Sequence, residues 1–350
     1  MPRTMHHPPL APGWIDQPHQ RLDLGNMRLE SGETLQGAFV TYVVHGNTSR
    51  MHNAAILVTT AIGSTHHRLD FLIGAGKALD TDKYAIIVVD AIGNGLSISP
   101  SNSLAQSGAR FPRFTIRDMV TSQYMLLDYL GIGRLKAVVG ASMGGMQALQ
   151  WGVTHPQRMA TLVAMTPMAR TTSWSQLMNE ISRRALFMDQ ACLLPRQRAD
   201  AIRLWTPLTQ LLMTRTPTAL ARFETQAQLQ QWIDAQAMTL QQDGPDPFDW
   251  CYQSWAYDAH DVGTTPPFAG NTEAALRSIE ASTLVLAPTL DLYNPPQAAY
   301  AVIGSTPNAR FVELPGEWGH ASANDIDPIA TNVISNAIHD LFCSTPGSCR

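Results

Sequence analysis

The run Leu135-Lys-Ala-Val-Val-Gly-Ala-Ser-Met-Gly-Gly-Met-Gln-Ala-Leu-Gln-Trp151 decides how the rest of the chain is read. Leu135 to Val139 is apolar and rich in β-branched residues, as expected of a short buried strand. Gly140-Ala141-Ser142-Met143-Gly144 then fits G-x-S-x-G, and Gly145 to Trp151 continues as a helix. A serine motif set between a strand and a helix is the context in which a sharp turn lifts a hydroxyl clear of a sheet edge. Glycines on both sides let the backbone fold tightly beneath it. The helix that follows directs unpaired N–H groups at the same point, where a developing oxyanion would sit. Without those flanks, the motif would be no more than a glycine-rich turn holding an incidental serine.

Working outward, the N-terminal side supplies strands. Residues 1–20 are rich in His and Pro and read as a loose arm. From Arg21 to Val44 the pattern alternates around a turn at Glu30-Ser-Gly-Glu33, which predicts antiparallel strands. Buried strands are expected at Asn53–Thr59, leading into Thr60-Ala-Ile-Gly-Ser64, and at Tyr84–Asp90. The glycine-rich loop 91–97 carries neither G-x-G-x-x-G nor a P-loop lysine, so no nucleotide site is read there. Helical periodicity spans Thr115–Leu130, and Thr161–Met165 is another strand. This alternation predicts a mostly parallel, doubly wound sheet, and the G-x-S-x-G serine at its strand-to-helix turn is the setting of the α/β-hydrolase fold class.

Composition then changes. Residues 169–279 are helix-like and rich in Gln, Met, Trp and Arg, with segments at Ile181–Cys192, Ala199–Met213 and Ala219–Leu240. Strands resume at 282–287 and 310–314. The expected organisation is therefore a core of residues 1–168 and 280–350, interrupted by a helical cap over Ser142.

A serine hydroxyl becomes a nucleophile only with a base beside it, and the base needs a group to fix its tautomer. In this fold the partners follow in the order Ser, acid, His. Strand 283–287 runs into Pro288-Thr-Leu-Asp291, and strand 310–314 runs into Pro315-Gly-Glu-Trp-Gly-His320. Asp291 and His320 thus fall at the carboxyl ends of neighbouring strands, where such sheets place their ligands. Taken alone, Asp291 would be a turn residue ahead of Pro295-Pro296, and His320 an ordinary loop histidine. Glu317 and Asp325 are rival acids that terminate no strand; His155 and His260 fit the base less well.

Composition bounds the alternatives. In 350 residues, 45% are hydrophobic and 15% charged, with a net charge of −4, which gives no reason to expect nucleic acid or an anionic membrane as partner. No pair among the 11 histidines has a metal-ligand spacing, so no metal site is read. The N-terminus lacks an apolar h-region and no run approaches a membrane span, so a cytoplasmic location is expected. Cys192 and Cys251 stand alone, while Cys343 and Cys349 are close enough to close a small loop if oxidised. In a reducing cytosol all four are expected as thiols.

Several stretches resemble the homoserine O-acetyltransferase family of α/β-hydrolase-fold proteins: Gly140 to Trp151, Leu72 to Tyr84, Phe114 to Val120 and Leu29 to Leu35. The resemblance implies Ser142 as nucleophile with Asp291 and His320 as partners. It also implies oxyanion donors at the N–H of Met143 and in the Thr60-Ala61 turn, and a helical cap that often mediates a homodimer. Two positions depart from the transferases. Their Gly-Gly-Cys and Ser-Thr-Gly-Pro loop is Ala91 to Pro100 here, and the Asp that follows their catalytic His is Ala321, which cannot pair with an ammonium. Arg183 stands where the transferases hold a carboxylate. The resemblance therefore leans towards the family's esterase members: a hydrolase of small acyl esters without a cofactor, or alternatively an O-acetyltransferase using acetyl-CoA as co-substrate.

Overall fold

The computed structural model describes residues 7–187 and 195–344. Its strands, in chain order, are β1 (Gln20–Arg28), β2 (Thr34–Gly46), β3 (Ala55–Thr59), β4 (Ile73–Gly74), β5 (Leu79–Asp80), β6 (Ala85–Val89), β7 (Leu135–Ala141), β8 (Met159–Met165), β9 (Ser282–Pro288) and β10 (Ala309–Leu314). Eight of them make one sheet, ordered β1-β2-β6-β3-β7-β8-β9-β10, while β4 and β5 pair separately. The hairpin β1–β2 and the β2–β6 pair are antiparallel, and every pairing from β6 to β10 is parallel. This is the mixed sheet the alternation predicts, with its antiparallel edge at the N-terminal end.

The inner strands are continuous apolar runs because both of their faces are covered. Leu57, Ile87 and Val138 face one core with Trp151, Leu126 and Val302. Their neighbours Ile56, Val58, Ile86 and Val139 face the opposite core with Leu69, Ile334, Ile338 and Phe342. The two-residue period of a strand thus splits each run between two helical layers. Helices α1 (Ile116–Tyr129) and α2 (Met143–Thr154) cover the first face and α10 (Pro328–Ser344) the second. Helix α1 starts where its sequence dictates: Thr115 and Asp118 form a reciprocal capping box.

Between β8 and β9 the chain is helical among the described residues, apart from an isolated bridge of Arg170 with Asp261. The helices are α3 (Ser173–Leu186), α4 (Pro195–Thr206), α5 (Pro217–Leu220), α6 (Gln226–Asp243), α7 (Pro247–Asp258) and α8 (Thr272–Arg277), and α9 (Pro296–Ser305) follows β9. Three expectations are corrected here. The first helix begins eight residues before Ile181, capped by Thr172; Cys192 lies outside the described residues, as does Cys349. The second passes into a π-helical turn at Pro207–Leu212. The segment 219–240 is two helices, because Thr225 and Gln228 build a new capping box. Nor is the N-terminal arm loose over its described part. The Ile15 N–H donates to Asp70 Oδ2 (2.8 Å), and Trp14 stacks on His67 with ring centroids 4.3 Å apart. No helix among the described residues is long and apolar enough to cross a membrane.

Candidate active site

The parallel register carries the carboxyl ends of β7, β9 and β10 to one edge of the sheet, and one polar side chain leaves just beyond each: Ser142, Asp291 and His320. Ser142 sits at φ 56° and ψ −124°, outside the ordinary regions for a residue with a side chain. Such strain persists only where the surroundings over-determine it. Here they do. A Cβ on Gly140 would lie 2.2 Å from the Gly144 carbonyl oxygen, and one on Gly144 would lie 2.5 Å from the Thr59 carbonyl oxygen. The Thr59 hydroxyl donates to the Gly144 carbonyl at 2.8 Å, so the end of β3 braces the turn from beneath.

Ser142 stands at the N-cap of α2, where a serine ordinarily turns its oxygen onto a first-turn N–H. It does not do so here. Its Oγ instead meets His320 Nε2 at 2.8 Å, and His320 Nδ1 meets Asp291 Oδ2 at 2.7 Å. A carboxylate can only accept, so Nδ1 carries the imidazole proton and Nε2 presents a lone pair to the serine hydroxyl. All three residues are buried. The second oxygen of Asp291 accepts the N–H groups of Tyr293 and Asn294, both at 2.8 Å. Asp291 is therefore a turn residue through one oxygen and the histidine's orienting group through the other.

Because the serine leaves the helix end uncapped, the N–H of Met143 opens α2 with no side-chain cap from Ser142. Ala61, buried, follows the last residues of β3 on the adjoining strand. The Gln147 amide donates to the Thr60 carbonyl at 2.8 Å and so ties the Thr60-Ala61 turn to α2. On the other side of that turn, Gln253 of α7 accepts from the Gly63 N–H (2.8 Å) and donates to the Ile92 carbonyl (3.3 Å).

Arg183 is not free for a ligand in this arrangement. Its guanidinium meets Asp258 at 2.7 Å and Glu180 at 3.0 Å, and donates to the Ser254 hydroxyl at 3.0 Å. It stands at the end of a polar chain that leads back to the site. Asn179 donates to Asp258 (2.7 Å), Tyr293 donates to Asn179 (2.7 Å), and the Tyr293 ring packs edge-on against His320 at 5.1 Å. Ala321, next to His320, is buried with its N–H on the carbonyls of Thr214 and Trp318.

Sequence reasoning did not find Tyr257. This residue of α7 stacks on Tyr293 and donates its hydroxyl to Asn294 Oδ1 beside Ser142. Burial, with Tyr293 and Asp291 beside it, pushes its phenol well above the ordinary range, so it stays protonated. No local signal marks it, since it is one aromatic in a helix that holds several. The rivals fall away: Glu317 is exposed, His155 stacks on Tyr124, and His260 is buried within the helical insertion. Spacing along the chain marks no metal-binding group, whereas the fold brings one ligand nitrogen each of His7, His19 and His66 within 4.8 Å of one another.

A sheet of this topology with a serine on a strained strand-to-helix turn and a His–Asp pair on the following strands defines a class. The chain belongs to the alpha/beta hydrolase fold family, whose model matches residues 54–323. Within it, the chain is 28% identical over 339 residues to a homoserine O-acetyltransferase of Nostoc punctiforme, covering 90% of this chain and 94% of that one. Among solved structures it resembles the acetyl esterase MekB (TM-score 0.86, 28% identity, 93% of this chain and 97% of that one). It also resembles an acetylester hydrolase from Corynebacterium glutamicum (TM-score 0.86, 26% identity, 93% and 96%).

Proposed function

We propose that the chain is a serine ester hydrolase that cleaves small acyl esters through an acyl-enzyme. The observation that supports this most directly is the unbroken hydrogen-bonded series Asp291–His320–Ser142 beside an alanine, Ala321, rather than a carboxylate. Ser142 Oγ attacks the ester carbonyl as His320 Nε2 takes its proton, and Asp291 steadies the imidazolium. The N–H groups of Met143 and Ala61 hold the oxyanion. Collapse expels the alcohol, which receives the proton from His320. Water then attacks the acyl-enzyme, gives a proton to His320, and releases the acid as Ser142 is restored.

Water is the productive acceptor in this reading. A site for an amino-acid zwitterion needs a partner for each charge, because a buried unpaired ion is costly. Arg183 is already neutralised by Asp258 and Glu180, and nothing ionised follows His320. The solved acetyl ester hydrolases of like fold favour the same reading.

The second reading, an O-acetyltransferase taking an acyl group from acetyl-CoA to homoserine or another alcohol, is supported by the curated transferases that match over most of the chain. The test compares kcat/KM for a short alkyl acetate in water with that for acetyl-CoA plus L-homoserine, using wild type and Ser142→Ala. Hydrolysis that disappears in the variant supports the esterase. Efficient O-acetylhomoserine formation with negligible hydrolysis overturns it in favour of the transferase.

A further inference from the structure

Away from Ser142, the loop that follows β3 holds an imidazole whose chemistry the reaction does not use. His66 is fully buried, and it is fixed twice by Asp90: its N–H donates to Oδ1 (2.9 Å) and its Nδ1 to Oδ2 (3.0 Å). A carboxylate partner puts the ring proton on Nδ1, which leaves Nε2 as a bare lone pair. That nitrogen is buried with no hydrogen-bond partner among the described residues. Its neighbour His67 is oriented in the same way, with Nδ1 on Asp70 at 2.7 Å and Nε2 facing His7 Nε2 at 2.8 Å.

Onto this pair the arm brings His7 and His19. The His19 ring lies 4.5 Å from that of His66, and the His7 ring lies 4.8 Å from that of His19. One ligand nitrogen from each of His7, His19 and His66 falls within 4.8 Å of the others. Ligand nitrogens around a tetrahedral zinc stand about 3.4 Å apart, so the arm has to close by at most about 1.4 Å. A histidine whose far nitrogen is held by a carboxylate is how proteins set a zinc ligand's tautomer and direction. His7 and His67 also line an open cavity of about 1050 Å³, which gives an ion a way in.

We propose that His7, His19 and His66 form a zinc site that clamps residues 7–19 onto the loop after β3, with His67 beside it. His66 is the pre-set ligand, and the two arm histidines arrive as the arm docks. The ion adds to the contacts that already hold the arm on this loop, the Ile15–Asp70 hydrogen bond and the Trp14–His67 stack, so its role is structural. The loop it grips starts at the turn that carries Ala61, yet the clamp stands whether or not the ester chemistry does.

The experiment uses untagged full-length protein stripped with a chelator and titrated with Co²⁺, then with Zn²⁺ in competition. One equivalent should bind with the visible absorption of tetrahedral cobalt, and zinc should displace it. The variant His7→Asn/His19→Asn replaces side chains at the surface end of the cluster and keeps His66. It should retain the metal-free melting temperature and bind about 100-fold or more weakly. Zinc should raise the melting temperature and protect the arm from limited proteolysis in wild type only. Undiminished binding by the variant would put the ion elsewhere, and failure of wild type to bind one equivalent would remove the site; either overturns the proposal. Ester hydrolysis by the metal-free protein is read separately, so loss of one reading leaves the other standing.

Discussion

Replacing Asp291 with Asn tests the arrangement at its most constrained point. The carboxylate accepts three hydrogen bonds: two backbone N–H groups on Oδ1 and His320 on Oδ2. An amide has one acceptor oxygen and must choose. If the oxygen faces His320, the N–H groups of Tyr293 and Asn294 both confront an NH₂ and lose their acceptor. Each buried donor left unpaired costs about 1–3 kcal/mol, so about 2–6 kcal/mol in all. The amide therefore turns its oxygen to the backbone and its NH₂ to His320. Nδ1 must then accept, the ring proton moves to Nε2, and the imidazole can no longer take a proton from Ser142. A wrong tautomer of this kind lowers kcat about 10⁴-fold in serine hydrolases, or about 5 kcal/mol at 1.36 kcal/mol per tenfold. The loss should fall on acylation, read as the burst rate with a chromogenic acetate, while the urea midpoint moves little. Nitrogen chemical shifts of His320 should report the exchange of tautomers. An acylation rate within tenfold of wild type, or an Nδ1 that keeps its proton, would refute the reasoning.

Three further outcomes are expected. Tyr257→Phe removes the hydroxyl that donates to Asn294, whose N–H is held by Asp291, and should lower kcat by roughly 5- to 30-fold, the worth of a hydrogen bond of about 1–2 kcal/mol; steady-state kinetics showing an unchanged kcat would take the hydroxyl out of the site. Gly144→Ala sets a methyl group 2.5 Å from the Thr59 carbonyl oxygen, between two backbones that cannot part cheaply. It should cost about 1–3 kcal/mol or more in chemical denaturation, together with most of the activity. His260 is buried, and desolvation holds its pKa at about 4 against 6.5 for an ordinary histidine. The unfolded chain takes up that proton below pH 6.5 while the folded one does not until about pH 4. The stability involved is thus complete above pH 6.5 and lost as pH falls towards 4, by about 3 kcal/mol. His260→Asn should flatten that part of the stability–pH curve, and an identical slope in both proteins would count against the assignment.

The parts of this molecule legible in its sequence are those fixed by neighbours along the chain. Strand β7, the elbow at Ser142 and helix α2 follow from a β-branched run, from glycines at positions where a Cβ meets backbone, and from a helix-forming continuation. Asp291 and His320 were readable because each stands a few residues past the end of an apolar strand, in the order this sheet requires. The insertion was legible as helical but not in its detail, since the breaks near residues 207 and 221–225 depend on caps and packing that a periodicity smooths over. Tyr257, the pairing of Arg183 with Asp258, and the gathering of His7 and His19 on His66 were decided by tertiary structure alone. Each joins residues that a sequence leaves tens of positions apart: Ser142 and Tyr257 by 115, Arg183 and Asp258 by 75, His19 and His66 by 47. The physical reason is that an imidazole or a phenol carries no local conformational signature of its function. Its role is set by which burial it suffers and which partner the fold leaves beside it.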